Sequence, residues 1–170
     1  MKLAGMIVIL VSAGSVGFRI AAALKRRCRL LQQLLAALGV LQNEIGFCGT
    51  PLPQAFALAA VASEGTVEAL FSAMAREMDR RRWLTPAAAL EQAWQEQPDL
   101  REEEALRQCL LALAASLGKY DRDSQLTALE AAKTRLADLL HAAEQERSVR
   151  SRTYEALGLC AGLALAILLI

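Results

Sequence analysis

The side chains that could ligate a metal or act as nucleophiles are few and widely separated in this sequence. The four cysteines form no C-x-x-C pair, and His141 is the single histidine. Structural zinc sites need closely spaced ligands, so the sequence disfavours a zinc site. The alternative is that three cysteines are reduced, small apolar residues facing the cytosol, while the fourth lies in lipid. The first three are Cys28, Cys48 and Cys109, and the fourth is Cys160.

The carboxylates and short motifs also lack the arrangements that catalysis requires. Glu102, Glu103 and Glu104 are consecutive, so on a helix they point in different directions instead of converging. The sequence contains no phosphate-binding glycine loop, no H-E-x-x-H and no G-x-S-x-G. The net charge is +1, and no aromatic residues alternate with the arginines, which disfavours nucleic-acid binding. We therefore expect no enzymatic activity, no cofactor and no small-molecule substrate.

The elements that carry these residues are predicted to be helices. Hydrophobic residues make up 55% of the 170 residues, and aromatic residues only 5%. Leucine and alanine, both good helix formers, supply most of the apolar content. The sequence therefore predicts an all-α protein.

The first hydrophobic segment predicts an N-terminal transmembrane anchor over residues 1–24. Leu3–Phe18 is uncharged, and Arg19 lies near the inner end, where its long side chain can reach the lipid headgroups. A cleaved signal peptide is the alternative, because Lys2 precedes the apolar run and small residues follow it. Arg19 before that site and the basic residues from Lys25 onward argue against cleavage.

A second hydrophobic segment predicts a C-terminal anchor over residues 154–170. The run from Ala156 to Ile170 is uncharged but short for a full span. A buried core helix is the alternative, although a helix that is apolar on every face favours insertion. Gly158 and Gly162 have a spacing that would allow another helix to approach closely, which is a weak signal in an Ala-rich run.

Basic residues beside the two anchors predict the topology. Lys25, Arg26 and Arg27 follow the first anchor, and Arg147 and Arg150 precede the second. The positive-inside rule then places residues 25–153 in the cytoplasm and both termini across the membrane. The same basic residues would lie against anionic lipid headgroups.

Apolar residues in the middle segment recur at helical spacing and predict a six-helix cytoplasmic bundle. The last helix is expected to continue into the C-terminal anchor, since no helix breaker precedes Gly158. Gly46 and Gly49 are expected to end the first helix. The stripes comprise Leu30, Leu34, Leu38, Leu41 and Ile45; Val67, Leu70, Phe71, Met74 and Met78; Leu90 and Trp94; Leu106, Cys109, Leu110, Leu113 and Leu117; and Leu126, Leu129, Leu136, Leu140 and Ala143.

Four helix starts are predicted from capping residues. Thr50 and Thr85 each precede a proline, Pro51 or Pro86, which suits an N-cap followed by the first helical residue. Asp99 with Glu102 has the spacing of a capping box. Asp121 is expected to cap the sixth helix. The run Asp79–Arg82 is interpreted as a solvated helix end.

In order along the chain, several motifs resemble the stage III sporulation protein AB family of endospore-forming bacteria. Gly17-Phe18 follows the first apolar run, and Thr50-Pro51-Leu52-Pro53-Gln54-Ala55 is the most recognisable stretch. Leu117-Gly118-Lys119-Tyr120-Asp121 with Gln125 fits an L-G-x-x-D-x-x-x-Q element. Tyr154-Glu155-Ala156-Leu157-Gly158 opens the final apolar run. A family tyrosine expected near Phe47 is missing, and the second anchor is short.

The resemblance implies a sporulation role in the mother-cell membrane around the forespore. Such a protein would be a platform in a channel between the two cells, with a cytoplasmic domain similar to those of type II secretion and type IV pilus platforms. It would contact a secretion-type hexameric ATPase, similar to stage III sporulation protein AA, and other membrane subunits.

The candidate partner-binding residues are Glu44, Thr50, Pro51, Pro53, Arg81, Arg82, Asp121 and Gln125. Most have an ordinary explanation as helix caps or helix-surface residues. The alternative function is a membrane-anchored sensor or ligand-binding bundle, which would need a core cavity lined by polar groups.

Overall fold

The computed structural model describes the backbone of residues 2–119 and 121–169, and the side chains of residues 22–119 and 121–149. Over this described backbone the chain is all-helical, with six α-helices and no strand, which confirms the predicted fold class at that level. The helices are α1 (Lys2–Asn43), α2 (Leu52–Val61), α3 (Gly65–Arg80), α4 (Pro86–Gln95), α5 (Glu104–Ser116) and α6 (Arg122–Leu169).

The first and last helices are much longer than the four between them. α6 runs without interruption from Arg122 to Leu169, as the absence of a breaker predicts. α1 is equally continuous through the basic segment that begins at Lys25, so the first apolar run and the first amphipathic stripe form one helix. Within the residues whose side chains are described, no helical stretch is both long and apolar enough to cross a membrane. The two predicted anchors lie outside those residues, apart from 22–24.

The chain divides into two units. One comprises residues 30–139, and the other comprises residues 1–29 with 140–170. The core of the unit formed by residues 30–139 is built from the predicted stripes. Leu34, Leu38 and Leu41 of α1 are buried, as are the predicted stripe residues of α3 and α5. Leu30 is half-buried, and Leu31 takes its place in the core. Phe56 and Phe71 pack with ring centroids 5.7 Å apart, which joins α2 to α3.

Two of the predicted helix caps are confirmed, and a third is wrong. The Thr85 hydroxyl accepts a hydrogen bond from the Ala88 N–H at 3.3 Å, with Pro86 at the start of α4. Asp121 accepts from the Ser124 N–H at 3.3 Å at the start of α6. Asp99 caps nothing: it lies in a short 3₁₀ turn, Pro98–Leu100, and α5 begins only at Glu104. The proline directs the chain into this separate turn before the helix can begin.

The junction between α1 and α2 differs most from expectation. Gly46 does not break the helix, because Glu44–Cys48 continues it as a π-helical turn that ends at the left-handed residue Gly49. Thr50 is not an N-cap either. The residue before α2 is Pro51, and Thr50 makes its side-chain hydrogen bond back to Glu44.

Candidate partner-binding surface

Three segments of the unit formed by residues 30–139 converge at one place, which we call the motif corner. It comprises residues 44–53, Gly118 and residues 121–126. These segments contain the two most recognisable motifs in the sequence. Six of the eight predicted binding residues therefore lie in one region: Glu44, Thr50, Pro51, Pro53, Asp121 and Gln125.

Close approaches at two glycines join the three segments. A Cβ atom placed on Gly46 would lie 3.0 Å from Cδ2 of Leu126, so the π-helical turn packs directly against the first turns of α6. A Cβ atom placed on Gly118 would lie 3.2 Å from Cδ1 of Leu52. Gly118 also has a φ of 78°, which a residue with a side chain adopts only at a cost. Both glycines therefore set how closely the segments can pack.

The α1 side of the motif corner is closed by hydrogen bonds to Glu44. The Thr50 hydroxyl donates to the Glu44 carboxylate over 2.6 Å, and the Thr50 N–H donates to the Glu44 carbonyl over 3.1 Å. The Gly49 N–H also donates to that carbonyl. Because Glu44 and Thr50 are half-buried, their polar groups are used to turn the chain between α1 and α2.

The α6 side of the motif corner is ordered by Asp121. Its carboxylate accepts from the Ser124 hydroxyl at 2.7 Å and from the Ser124 N–H at 3.3 Å. The hydrogen bond from the Ser124 hydroxyl is the main reason that the pKa of Asp121 lies below its usual value. The Gln125 N–H donates to the Asp121 carbonyl at 3.1 Å, which begins the helix. Asp121 and Pro51 are exposed, whereas Gln125 and Pro53 are half-buried.

Hydrogen bonds further along hold α1 against α6. The Lys133 ammonium donates to the Gln42 side-chain carbonyl over 2.8 Å, and the Gln42 amide donates to the Glu130 carboxylate. These bonds fix the register of the two helices next to the motif corner.

The two remaining predicted binding residues, Arg81 and Arg82, lie at the end of α3. Arg81 forms a 3.7 Å ion pair with Glu77, one turn earlier, and Arg82 is exposed. This agrees with the interpretation of a solvated helix end. The structure does not place them among the residues of the motif corner.

Sequence analysis missed Trp83, which follows Arg82 and is 79% exposed. After it, the chain lines one wall of a groove between the start of α4 and the end of α5. We call this groove, together with Trp83, the Trp83 groove. Its volume is about 190 Å³. It is lined by Leu84, Thr85, Pro86, Ala87, Ala114, Ala115, Leu117, Gly118 and Lys119. The only sequence signal was a tryptophan directly after three arginines, outside any apolar stripe.

The interior of this unit is tightly packed. A void of about 10 Å³ lies among apolar side chains, including Leu38, Phe56 and Leu110. This is no larger than one water molecule and far smaller than the several hundred Å³ that a ligand pocket occupies. This apolar void offers almost no polar surface to a ligand, which disfavours the ligand-binding alternative.

The acidic, histidine and cysteine side chains that the structure describes form no metal site. Among the residues whose side chains are described, no group of three or more acidic, histidine or cysteine side chains could hold a metal ion. Cys28, Cys48 and Cys109 are free thiols, and Cys48 is exposed rather than packed. Burial raises the pKa of Cys109, which keeps this thiol protonated near neutral pH.

The fold and these surfaces define the class: an all-α protein whose central helices pack around a filled core. Comparison with known proteins identifies the family. The family model for stage III sporulation protein AB matches residues 2–170. The chain therefore belongs to the stage III sporulation protein AB family, as its motifs predicted.

Two relatives support this assignment. Stage III sporulation protein AB of Bacillus subtilis (strain 168) is 32% identical over 172 residues, which covers 99% of each chain. A solved structure of stage III sporulation protein AB superimposes with a TM-score of 0.65 at 29% sequence identity. That match covers 73% of this chain and 98% of the solved chain. The family membership supports a role in sporulation.

Proposed function

We propose that this chain is a non-enzymatic membrane platform of the sporulation channel, and that its helical domain couples a secretion-type ATPase to that channel. It would sit in the mother-cell membrane around the forespore, with the domain in the cytoplasm and both termini across the membrane. Other membrane subunits of the same channel would be its further partners. Family membership over residues 2–170 supports the sporulation part of this proposal.

The observation that carries the platform part is the motif corner. Gly46 of the α1–α2 junction and Leu126 of α6 come together although they are 80 positions apart in sequence. Hydrogen bonds within the motif corner restrain its backbone, and Pro51 and Asp121 remain exposed on it. A restrained, partly exposed surface of this kind suits binding to a protein, because little entropy is lost when it is bound.

A direct binding measurement tests the proposal. The full chain, purified in detergent, is mixed with a purified ATPase similar to stage III sporulation protein AA, and the two are analysed by size-exclusion chromatography. We expect the proteins to elute together. A double variant with Pro51→Asp and Gln125→Arg should weaken the complex by tenfold or more, about the effect of losing one strong contact.

A matched control keeps the result specific. Arg101 is exposed and lies at the opposite end of α5 from Gly118, so Arg101→Gln should leave binding unchanged. Circular dichroism of each variant checks that the helices remain folded. A folded wild-type chain that binds no ATPase would contradict the proposal.

A further inference from the structure

The two tryptophans of this chain have opposite environments. Trp94 is 6% exposed in the core of α4, whereas Trp83 is 79% exposed in the connection between α3 and α4. A tryptophan carries more apolar surface than almost any other side chain, and burying it is strongly favourable. In the described fold, most of the Trp83 side chain does not contribute this favourable burial energy.

Two arginines beside Trp83 are also exposed without a partner in the described fold. Arg80 and Arg82 are exposed, and neither forms an ion pair with any residue that the structure describes. Arg81 alone is held, by Glu77 at 3.7 Å. Arg80 lies in the last turn of α3, where its charge interacts favourably with the negative end of the helix dipole. Arg82 lies beyond the helix, so the dipole does not explain its position.

A concave, mostly apolar surface begins two residues after Arg82, at Leu84. Its walls are formed by small and apolar residues at the start of α4 and the end of α5, and Lys119 supplies a positive charge. Leu84 lines the groove, and Trp83 is the residue directly before it in the chain. An apolar side chain of a partner could enter the groove while its carboxylates approach Arg82 and Lys119.

We propose that the Trp83 groove binds an acidic segment of a protein partner, through an apolar side chain in the groove and carboxylates on Arg80, Arg82 and Lys119. Tryptophan and arginine are the residues that most often dominate binding energy at protein interfaces, where a pocket lies at the centre. Arg80, Arg82 and Lys119 outnumber the neighbouring exposed carboxylate of Asp79, and this excess of positive charge selects an acidic occupant. This inference deepens the proposed function and rests on it, because it names the chemistry of the segment that docks on this domain.

The test uses three synthetic peptides and the full chain in detergent. The first peptide alternates leucine with glutamate, the second has glutamine for every glutamate, and the third has alanine for every leucine. Binding is followed by the fluorescence anisotropy of a label on each peptide. We expect the first peptide to bind at least tenfold more tightly than either control, with affinity falling as salt is added.

Variants of the chain locate the binding. Trp83→Ala should weaken binding of the leucine–glutamate peptide by about tenfold or more, and Arg80→Gln with Arg82→Gln by a similar factor. Two exposed controls, Arg101→Gln and Val61→Ala, should bind as the wild type does. Equal binding by wild type and Trp83→Ala, or no binding of the first peptide at millimolar concentration, would overturn the proposal.

The same variants separate this inference from the proposed function. If the ATPase binds the wild type and Trp83→Ala equally well, the platform stands and the groove proposal fails. If the ATPase does not bind the wild type at all, the platform itself fails. In nanodiscs, protection of Trp83 from a soluble quencher by anionic lipid, without binding of the peptide, would show a lipid contact and overturn the groove proposal.

Discussion

The motif corner and the Trp83 groove share Gly118, yet the fold uses their residues in opposite ways. In the motif corner, hydrogen bonds within the chain occupy polar groups of Glu44, Thr50 and Asp121. Beside the groove, Arg82 and Trp83 are exposed and make no such contacts. The first set explains why the domain has its shape, whereas the second set is not needed for that shape. Because the second set is not needed for the fold, we propose a partner contact for it in addition to the one proposed at the motif corner.

Within the motif corner, Gly118 should show the largest effect on stability. Gly118→Ala forces a residue with a Cβ to adopt a φ of 78° and brings that Cβ to 3.2 Å from Leu52. We expect the free energy of unfolding to fall by about 1–3 kcal/mol. Urea unfolding followed by circular dichroism measures it.

Gly39→Ala is the matched control for that substitution. Gly39 lies inside α1 with no atom within 4 Å of a new Cβ, so alanine should stabilise the helix by about 0.5–1 kcal/mol. Equal stability of Gly118→Ala and the wild type would show that the motif corner is looser than its packing indicates.

The hydrogen bond between Thr50 and Glu44 should come next. Thr50→Val removes the donor of the 2.6 Å bond and keeps the shape, and Glu44→Gln removes the charge of the acceptor. Each substitution should cost about 1 kcal/mol, and the double variant less than the sum, because the two groups act together.

Thr50→Ser separates the hydroxyl from the rest of the side chain. Serine keeps the donor, so this variant should retain most of the stability in the same urea titration. Additive costs for Thr50→Val and Glu44→Gln would show that the hydrogen bond does not couple the two residues.

A smaller, pH-dependent effect is expected at Asp121. Hydrogen bonds from Ser124 lower the pKa of this carboxylate in the folded chain, so its contribution is present above the unfolded pKa, about 3.9. It is lost as pH falls through the lower folded pKa. The stability gap between wild type and Asp121→Ala should therefore close at acidic pH, which a series of urea midpoints would show. In a chain that carries Ser124→Ala, the additional replacement of Asp121 with Ala should cost less stability at neutral pH than it does in the wild type.

How far the sequence predicts this molecule depends on whether a feature is local. The helical stripes and the caps at Thr85 and Asp121 follow from residues within a few positions of each other. Both caps and most stripe residues were predicted correctly, whereas Leu30, Leu126 and Leu140 are only half-buried. Thr50 was assigned as a cap because a threonine before a proline is typical of a helix start. Its hydroxyl instead donates a hydrogen bond to Glu44, six residues earlier. Such a bond depends on the π-helical turn, which in turn depends on Gly46 fitting against Leu126, eighty positions away. No local pattern contains that contact.

The same reasoning explains the candidate sites. The motif corner was identified residue by residue from the family resemblance, without the geometry that joins its two halves. Trp83 was missed because exposure is a property of the folded chain. Its position after three arginines became informative only when the groove beside it was seen.

The groove variants should have the smallest effect on stability, and this is the sharpest test of the comparison. Trp83→Ala and Arg82→Gln remove largely exposed side chains that make no hydrogen bond or ion pair in the described fold, so the free energy of unfolding should change by less than about 0.5 kcal/mol. Trp94→Ala, which empties a buried site in the next helix, should instead cost about 3–5 kcal/mol. Thermal and urea unfolding of the three variants under identical conditions would measure the contrast. If Trp83→Ala destabilised the chain as Trp94→Ala does, Trp83 would belong to the fold, and the distinction between the two surfaces would be wrong.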